Sequence, residues 1–222
     1  MNNVINVKNL SFSYLTDNSK FILEELSISF ESGKISIIIG PNGVGKTTFL
    51  KCLTGVYSDY DGEILMDAKI SFVLDTPLLQ ESLKVNEYVE YVKKIADDKF
   101  ITNFDKLLLI LNLDQCNEEM IRDLSAGQKH KLAYAVALSY DSDIYVLDEP
   151  LLFLDIKSQI ALKEMIINLN KLGKTFIIST HIISNAYELG KNVYIMKDSK
   201  INKLNTQYQT FEEFNEIIIK EV

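Results

Sequence analysis

The sequence predicts an α/β fold: a mostly parallel sheet, with an antiparallel β subdomain before it and a helical insert within it. Three observations carry this. Apolar, β-branched runs at residues 35–39, 143–148 and 175–179 have the length and composition of strands buried on both faces. Residues 47–53 and 157–172 read as helices, so strand and helix alternate as they do around a parallel sheet. Residues 4–14 and 21–30 alternate polar and apolar side chains about a turn at Asp17, Asn18 and Ser19, which is the pattern of a hairpin.

The 222 residues, 47% of them hydrophobic, suffice for one good core or a core with a small lobe. We expect a single domain over residues 1–222, with the β subdomain and sheet core at 1–74 and 140–222 and a helical subdomain at 75–139. A net charge of −8 and a pI near 4.9 argue against nucleic acid as a partner, because phosphate backbones select basic faces. Cys52 and Cys116 are too few and too isolated for a disulfide framework or a metal site and read as reduced thiols. No basic and apolar leader opens the sequence, and no apolar run approaches the twenty or so residues that span a bilayer, so a cytosolic chain is expected.

The remaining elements follow in order. Residues 59–62 read as a turn, and 63–66 and 69–74 as strands. From 78 to 120 helix formers dominate, with Val85, Tyr88, Val89 and Val92 on one face and Phe104, Leu107, Leu108 and Leu111 on another. Ser125 followed by Gln128 is a capping box that opens the next helix through Ala133, Val136 and Ala137. Residues 193–196 form a further strand, and Thr210 with Glu213 caps an amphipathic helix that carries Phe214, Ile217 and Ile218.

The chemistry is concentrated at strand ends. Gly40, Pro41, Asn42, Gly43, Val44, Gly45, Lys46, Thr47 and Thr48 stand between a strand and a helix and fit the pattern G-x-x-x-x-G-K-[ST]. Glycines let the backbone N–H groups turn inward, the helix N-terminus adds partial positive charge, Lys46 reaches β- and γ-phosphates, and the Thr47 hydroxyl suits Mg2+. The core is therefore expected to be that of a P-loop NTPase. Asp148 and Glu149 end an apolar strand. An acid there holds Mg2+ in P-loop enzymes, and a neighbouring glutamate can position and deprotonate a water. Successive residues of an extended segment point apart, so the two acids suit different tasks. His181 directly follows the strand at 175–179, and Tyr14 closes the first strand, where an aromatic either caps the sheet or stacks on a flat ligand.

Taken together these motifs resemble the ATP-binding cassette (ABC) family of ATPases, from Tyr14 to about Lys200. Residues 40–48 match its P-loop, and 124–128 look like its LSGGQ signature with Ala126 in place of the first glycine. Asp148 and Glu149 look like the Walker B pair, Leu154 and Asp155 like the D-loop, and His181 like the switch histidine. The resemblance implies that ATP with Mg2+ is clamped between two cassettes, identical or different, with the P-loop of one facing Ser125, Gly127 and Gln128 of the other. It implies adenine stacking on Tyr14, water activation by Glu149, and a γ-phosphate contact from His181. It further implies separate membrane-spanning subunits of a transporter, docked near residues 75–85 and the helical insert. Residues 70–87 are similar to those of exporters of small peptides or antibiotics.

The sequence departs from the family in places. Asp75 stands where the Q-loop glutamine is usual, with Gln80 following late, and is expected to act at the metal and the catalytic centre. Lys131 stands where an arginine is common, and Ser199 replaces a usual glycine. Arg122 is the only arginine, so charge neutralisation falls to Lys46, Mg2+ and the signature helix. Two other readings belong to the same family: a soluble ATPase acting on DNA or ribosomes, and a weakly hydrolysing regulatory cassette. The acidic balance and the absence of coiled-coil insertions or a second cassette count against the first, and the intact acid pair against the second.

Overall fold

A computed structural model describes residues 3–14, 21–96, 104–190 and 192–222; the turn expected at Asp17, Asn18 and Ser19 lies outside these. The chain opens with β1 (Asn3–Phe12), β2 (Leu23–Glu31) and β3 (Ile35–Ile39), followed by α1 (Lys46–Leu53), β4 (Asp61–Met66) and β5 (Ile70–Val73). Helices α2 (Val85–Ala96), α3 (Phe104–Ile110) and α4 (Ala126–Ser139) come next. The order then alternates: β6 (Ile144–Asp148), α5 (Ile156–Lys171), β7 (Thr175–Thr180), α6 (Ile183–Leu189), β8 (Asn192–Lys197), β9 (Lys200–Lys203) and α7 (Phe211–Glu221).

Two sheets result. β1 pairs antiparallel with β2 and with β4. The larger sheet has the order β5-β6-β7-β3-β8-β9 and is parallel except for β9. The period-2 alternation of the strands divides its side chains between two cores. Ile37, Ile39, Leu147 and Ile178 face α4, α5, α6 and α7, whereas Ile38, Val146 and Ile177 face α1 and the antiparallel sheet. Both faces are covered, which is why these strands are apolar at nearly every position, each buried aliphatic side chain contributing about 1.5–3 kcal/mol.

Register aligns the ends that matter. Ile39 pairs with Thr180 and Asp148 with Ser179, so the carboxyl ends of β3, β7 and β6 lie side by side at one level. Ligands of open α/β sheets bind outside such ends. Between β5 and β6 the described residues form α2, α3, α4 and two 3-10 turns (Asp114–Cys116 and Ile121–Asp123). This helical stretch is stitched to the segment after β5 by Ile121 N–H to Leu83 O (2.9 Å) and Val85 N–H to Glu119 O (3.0 Å).

Three local expectations are corrected. β1 ends at Phe12, so Tyr14 lies beyond the strand instead of closing it. The expected turn at 59–62 is shorter, because β4 already begins at Asp61. Gly62 sits inside that strand at φ 101°, and a Cβ there would lie 2.5 Å from the carbonyl oxygens of Lys8 and Asn9; the glycine serves close strand approach. Nor is the acid pair uniformly extended: Asp148 ends β6, but Glu149 has φ 47°.

The β8–β9 turn holds Asp198 at φ 49° and Ser199 at φ 62°. A left-handed conformation costs a non-glycine residue about 1–2 kcal/mol, part of which glycine returns as unfolded-chain entropy. Ser199→Gly should therefore raise the unfolding free energy by about 0.5–1 kcal/mol, measured by urea denaturation; a variant less stable than wild type contradicts the strain at this turn.

Candidate active site

The loop from Gly40 to Gly45 leaves β3 and delivers Lys46 to the start of α1. Gly43 and Gly45 take φ values of 80° and 111°, which let the loop close over its own backbone. Lys46 is 6% exposed, and its ammonium donates to Gly40 O (2.8 Å) and Pro41 O (3.0 Å) while lying 3.6 Å from Glu149 Oε1. Burial pulls its pKa below the ordinary lysine value, against Glu149 and Asp148, which support the charged form.

Next to it, the Thr47 hydroxyl donates to Asp148 Oδ2 (2.5 Å) and the Ser179 hydroxyl donates to Asp148 Oδ1. Asp148 is buried, and desolvation raises its carboxyl pKa above the ordinary value despite these hydrogen bonds. A cation at this oxygen pair would favour the ionised form. Hydroxyl and carboxylate oxygens are the hard donors Mg2+ takes, and Mg2+ usually completes its shell with phosphate oxygens and water. Thr47 and Asp148 thus fit such an ion, which would supply charge neutralisation at the phosphates.

Glu149 faces the other way. Its N–H donates to Ser179 O (3.2 Å) and Ser179 Oγ (3.0 Å), and its Oε1 accepts from His181 Nδ1 (2.8 Å). With the carboxylate as acceptor, Nδ1 carries the proton and Nε2 is left to meet another group. The left-handed backbone at Glu149 gives the two acids their separate tasks: Asp148 on the Thr47 hydroxyl, Glu149 between Lys46 and His181.

Tyr14 stands at the rim, 42% exposed, and its hydroxyl is 2.9 Å from Thr48 Oγ1. Its ring meets Phe12 and Tyr57 edge-on, at centroid distances of 5.2 and 6.1 Å. Tyr14, Asn42, Gly43, Gly45, Lys46, Thr47, Thr48 and Glu149 share one cleft of about 310 Å3. It combines a glycine-rich loop, a buried ammonium, an acid with a histidine behind it, and an aromatic rim. Such a cleft can hold a polyphosphate carrying a flat base and place a water beside a carboxylate.

Two sets of expected residues lie apart from it. Ser125 caps α4 by accepting from Gln128 N–H while Gln128 Oε1 accepts from Ser125 N–H, so the capping box is formed, with Ser125 exposed and its helix N-terminus outward. Gly127 follows in the first turn of that helix. Asp75 sits at the mouth of a separate apolar groove of about 340 Å3 that also takes in Leu78, Tyr88, Val136 and Tyr140. There it pairs with Lys51 at 3.1 Å, and Gln80 donates to Ser82. The structure thus places Asp75 on Lys51, away from the lining of the phosphate cleft.

The sequence profile of the ABC transporter family matches residues 23–152, more than half of the chain. The chain belongs to the ABC transporter family. It is 31% identical over 199 residues to an uncharacterised ABC transporter ATP-binding protein of Methanocaldococcus jannaschii, covering 88% of this chain and 75% of that one. It is 29% identical over 215 residues to the SkfA peptide export ATP-binding protein of Bacillus subtilis, covering 89% and 87%. In fold it is similar to a dimeric ATP-binding cassette solved in a post-hydrolysis state bound to ADP and Pi, with a TM-score of 0.78, 24% identity, and coverage of 91% of this chain and all of that one.

Sequence reasoning passed over several residues of this ABC chain. Ser179 holds both acids, and the signal for it was a polar Ser179–Thr180 pair ending an otherwise apolar strand just before His181. Lys131, noted only as a departure, binds Asp155 at 2.6 Å. Lys131, then the N–H and hydroxyl of Ser158, hold the Asp155 carboxyl well below the usual range. A depressed carboxylate contributes stability that is present above its unfolded pKa and lost as pH falls through its folded one. Asparagine caps helices as well as aspartate does, so Asp155→Asn removes mainly the charge. The melting temperature of Asp155→Asn should lie below wild type by a constant amount at pH 6–8, and the gap should shrink below about pH 4. A gap that widens in acid contradicts this pairing.

Proposed function

We propose that this chain is the ATP-binding and ATP-hydrolysing subunit of a membrane transporter, working as one of two cassettes beneath separate membrane-spanning subunits. The observation that carries this reading is the convergence of Lys46, Thr47, Asp148, Glu149 and His181 at three adjacent strand ends in a member of the ABC transporter family. ATP takes its phosphates on residues 40–48 and its base on the exposed ring of Tyr14. Thr47 and Asp148 hold Mg2+, and Asp75 reaches that ion only after leaving Lys51 or through a bridging water. Glu149 orients and activates the attacking water, and His181 serves the γ-phosphate. Ser125, exposed at the start of α4, completes the cleft of a second copy or a related cassette together with Gly127 and Gln128 of the same helical turn.

Among the described residues no helix is long and apolar enough to cross a membrane. We therefore place the chain on the cytoplasmic side, held there by its membrane partner, with residues 75–139 as the subdomain that meets that partner.

Calorimetry tests the cleft: Lys46→Ala should lose measurable ATP binding, and wild-type affinity in that variant overturns the assignment. Light scattering tests the pairing. Glu149→Gln, which keeps the phosphate contacts but removes the base, should be monomeric without nucleotide and dimeric with ATP. For Asp75, whose ion pair lies outside the cleft, Asp75→Ala should reduce hydrolysis stimulated by the membrane partner several-fold while changing basal turnover less; the reverse order of effects overturns its coupling role.

A further inference from the structure

Three aromatic rings pack together at the rim of the phosphate cleft. Tyr14 lines the cleft, whereas Phe12 and Tyr57 stand behind it. Tyr57 arrives there through the end of α1. Thr54 N–H donates to Leu50 O (2.9 Å) and Gly55 N–H, at φ 74°, to Cys52 O (3.1 Å), which closes the helix; Tyr57 N–H then donates back to Lys51 O (3.0 Å). The sharp return at Gly55 thus lays Tyr57 alongside the helix that begins with the phosphate loop.

That helix holds two of the rings from one side. Thr48 and Lys51, one turn apart, are neighbours on its surface. Thr48 Oγ1 lies 2.9 Å from the Tyr14 hydroxyl, and the Lys51 ammonium lies over the Tyr57 ring at 5.6 Å from its centroid. Phe12 supplies the second support. It is buried, and Tyr57 stacks on it at 5.1 Å with the ring planes 3° apart. Both rings of this stack stand perpendicular to Tyr14, at 88° and 89°. Tyr14 itself lies beyond the end of β1, so its ring plane is set by side chains: the Thr48 hydroxyl at its tip and the Phe12–Tyr57 stack at its flank.

We propose that Tyr57 is a positioning residue for the nucleotide base: held by Phe12 and the Lys51 ammonium, its ring fixes Tyr14 at the tilt on which a flat base stacks. This rests on the reading, given above, that the base of ATP stacks on Tyr14. Perpendicular aromatic pairs are favourable beyond the area they bury, so the stack restrains a ring that is 42% exposed and otherwise free to turn about its side-chain torsions. A ring restrained before ATP arrives loses less freedom when it binds. Tyr57 acts on the base through Tyr14 and stands outside the residues that line the phosphate cleft. Its loss is therefore felt in the part of the affinity that depends on the base and not in the part that depends on the phosphates.

Calorimetry on the full chain with two ligands, ATP and the base-free tripolyphosphate, tests this. Tyr14→Ala should weaken ATP and leave tripolyphosphate unchanged, which defines the base-dependent part of the affinity. Tyr57→Leu, a change at a half-buried position that keeps an apolar side chain against Phe12, should weaken ATP about three- to tenfold and leave tripolyphosphate unchanged. Tyr57→Phe, which keeps the ring, should bind both ligands as wild type does. On the Tyr14→Ala background Tyr57→Leu should cause no further loss, because the two residues act as a unit. If Tyr57→Leu weakens both ligands together, or weakens ATP as much without Tyr14 as with it, Tyr57 only supports the fold and the positioning role is wrong. If Tyr57→Leu binds ATP as wild type does while Tyr14→Ala does not, the positioning role is wrong and base stacking on Tyr14 stands. If Tyr14→Ala itself binds ATP as wild type does, the stacking reading is wrong and the role of Tyr57 falls with it.

Discussion

The buried ammonium of Lys46 is the constraint around which the rest of the molecule is arranged. An unpaired charge at 6% exposure costs several kcal/mol, so it persists only where the fold supplies partners. Those partners come from the phosphate loop, through Gly40 O and Pro41 O, and from the end of β6, through Glu149. Glu149 is in turn held by Ser179 and His181 at the end of β7. One cation therefore requires three strand ends at the same level, which the registers of β3, β7 and β6 provide. Protein carbonyls and one carboxylate hold the charge. Their geometry keeps Lys46 in position beside the glycine-rich loop.

The acids next to Lys46 divide their work by backbone conformation more than by sequence position. Asp148 stays within β6 and is desolvated, bound by two hydroxyls; the left-handed turn at Glu149 carries the second carboxylate out of the strand toward His181. Six residues later the same segment reaches Asp155, pinned by Lys131 of the signature helix. The chain between Glu149 and Asp155 is thus anchored at both ends, once in the cleft and once on α4. The segment between them is short and is held against α4 by the His130–Phe153 stack as well.

Much of this was legible in the sequence, and the boundary of what was legible has physical causes. The phosphate loop, the acid pair and the capping box of α4 are local patterns: their geometry is set within a few residues, so spacing alone identifies them. The buried strands were equally plain, since covering both faces leaves a continuous apolar run. Contacts between distant elements left weaker traces. Ser179 reads as an ordinary polar end to β7 until Asp148 and Glu149 are placed beside it, and the His130–Phe153 stack pairs two residues 23 apart with no shared pattern. Gly62 looked like a turn residue because glycine signals turns and close strand approach alike, and only the carbonyls of Lys8 and Asn9 distinguish the two.

Asp75 illustrates how an interaction's weakness can matter as much as its presence. Its ion pair with Lys51 joins a side chain that is 47% exposed to one that is 20% exposed, a setting in which such pairs contribute roughly 0–1 kcal/mol. Lys51 also lies over the Tyr57 ring at 5.6 Å, and Tyr57 stacks on Phe12, the residue whose ring edge meets Tyr14. The lysine therefore has a second resting place that does not involve the carboxylate. The Asp75–Lys51 pair can therefore open at little cost in stability. A glutamine at this position would hold no charge and compete for no lysine. With aspartate, the charge of Lys51 at the mouth of the groove is matched by a carboxylate that holds it only weakly.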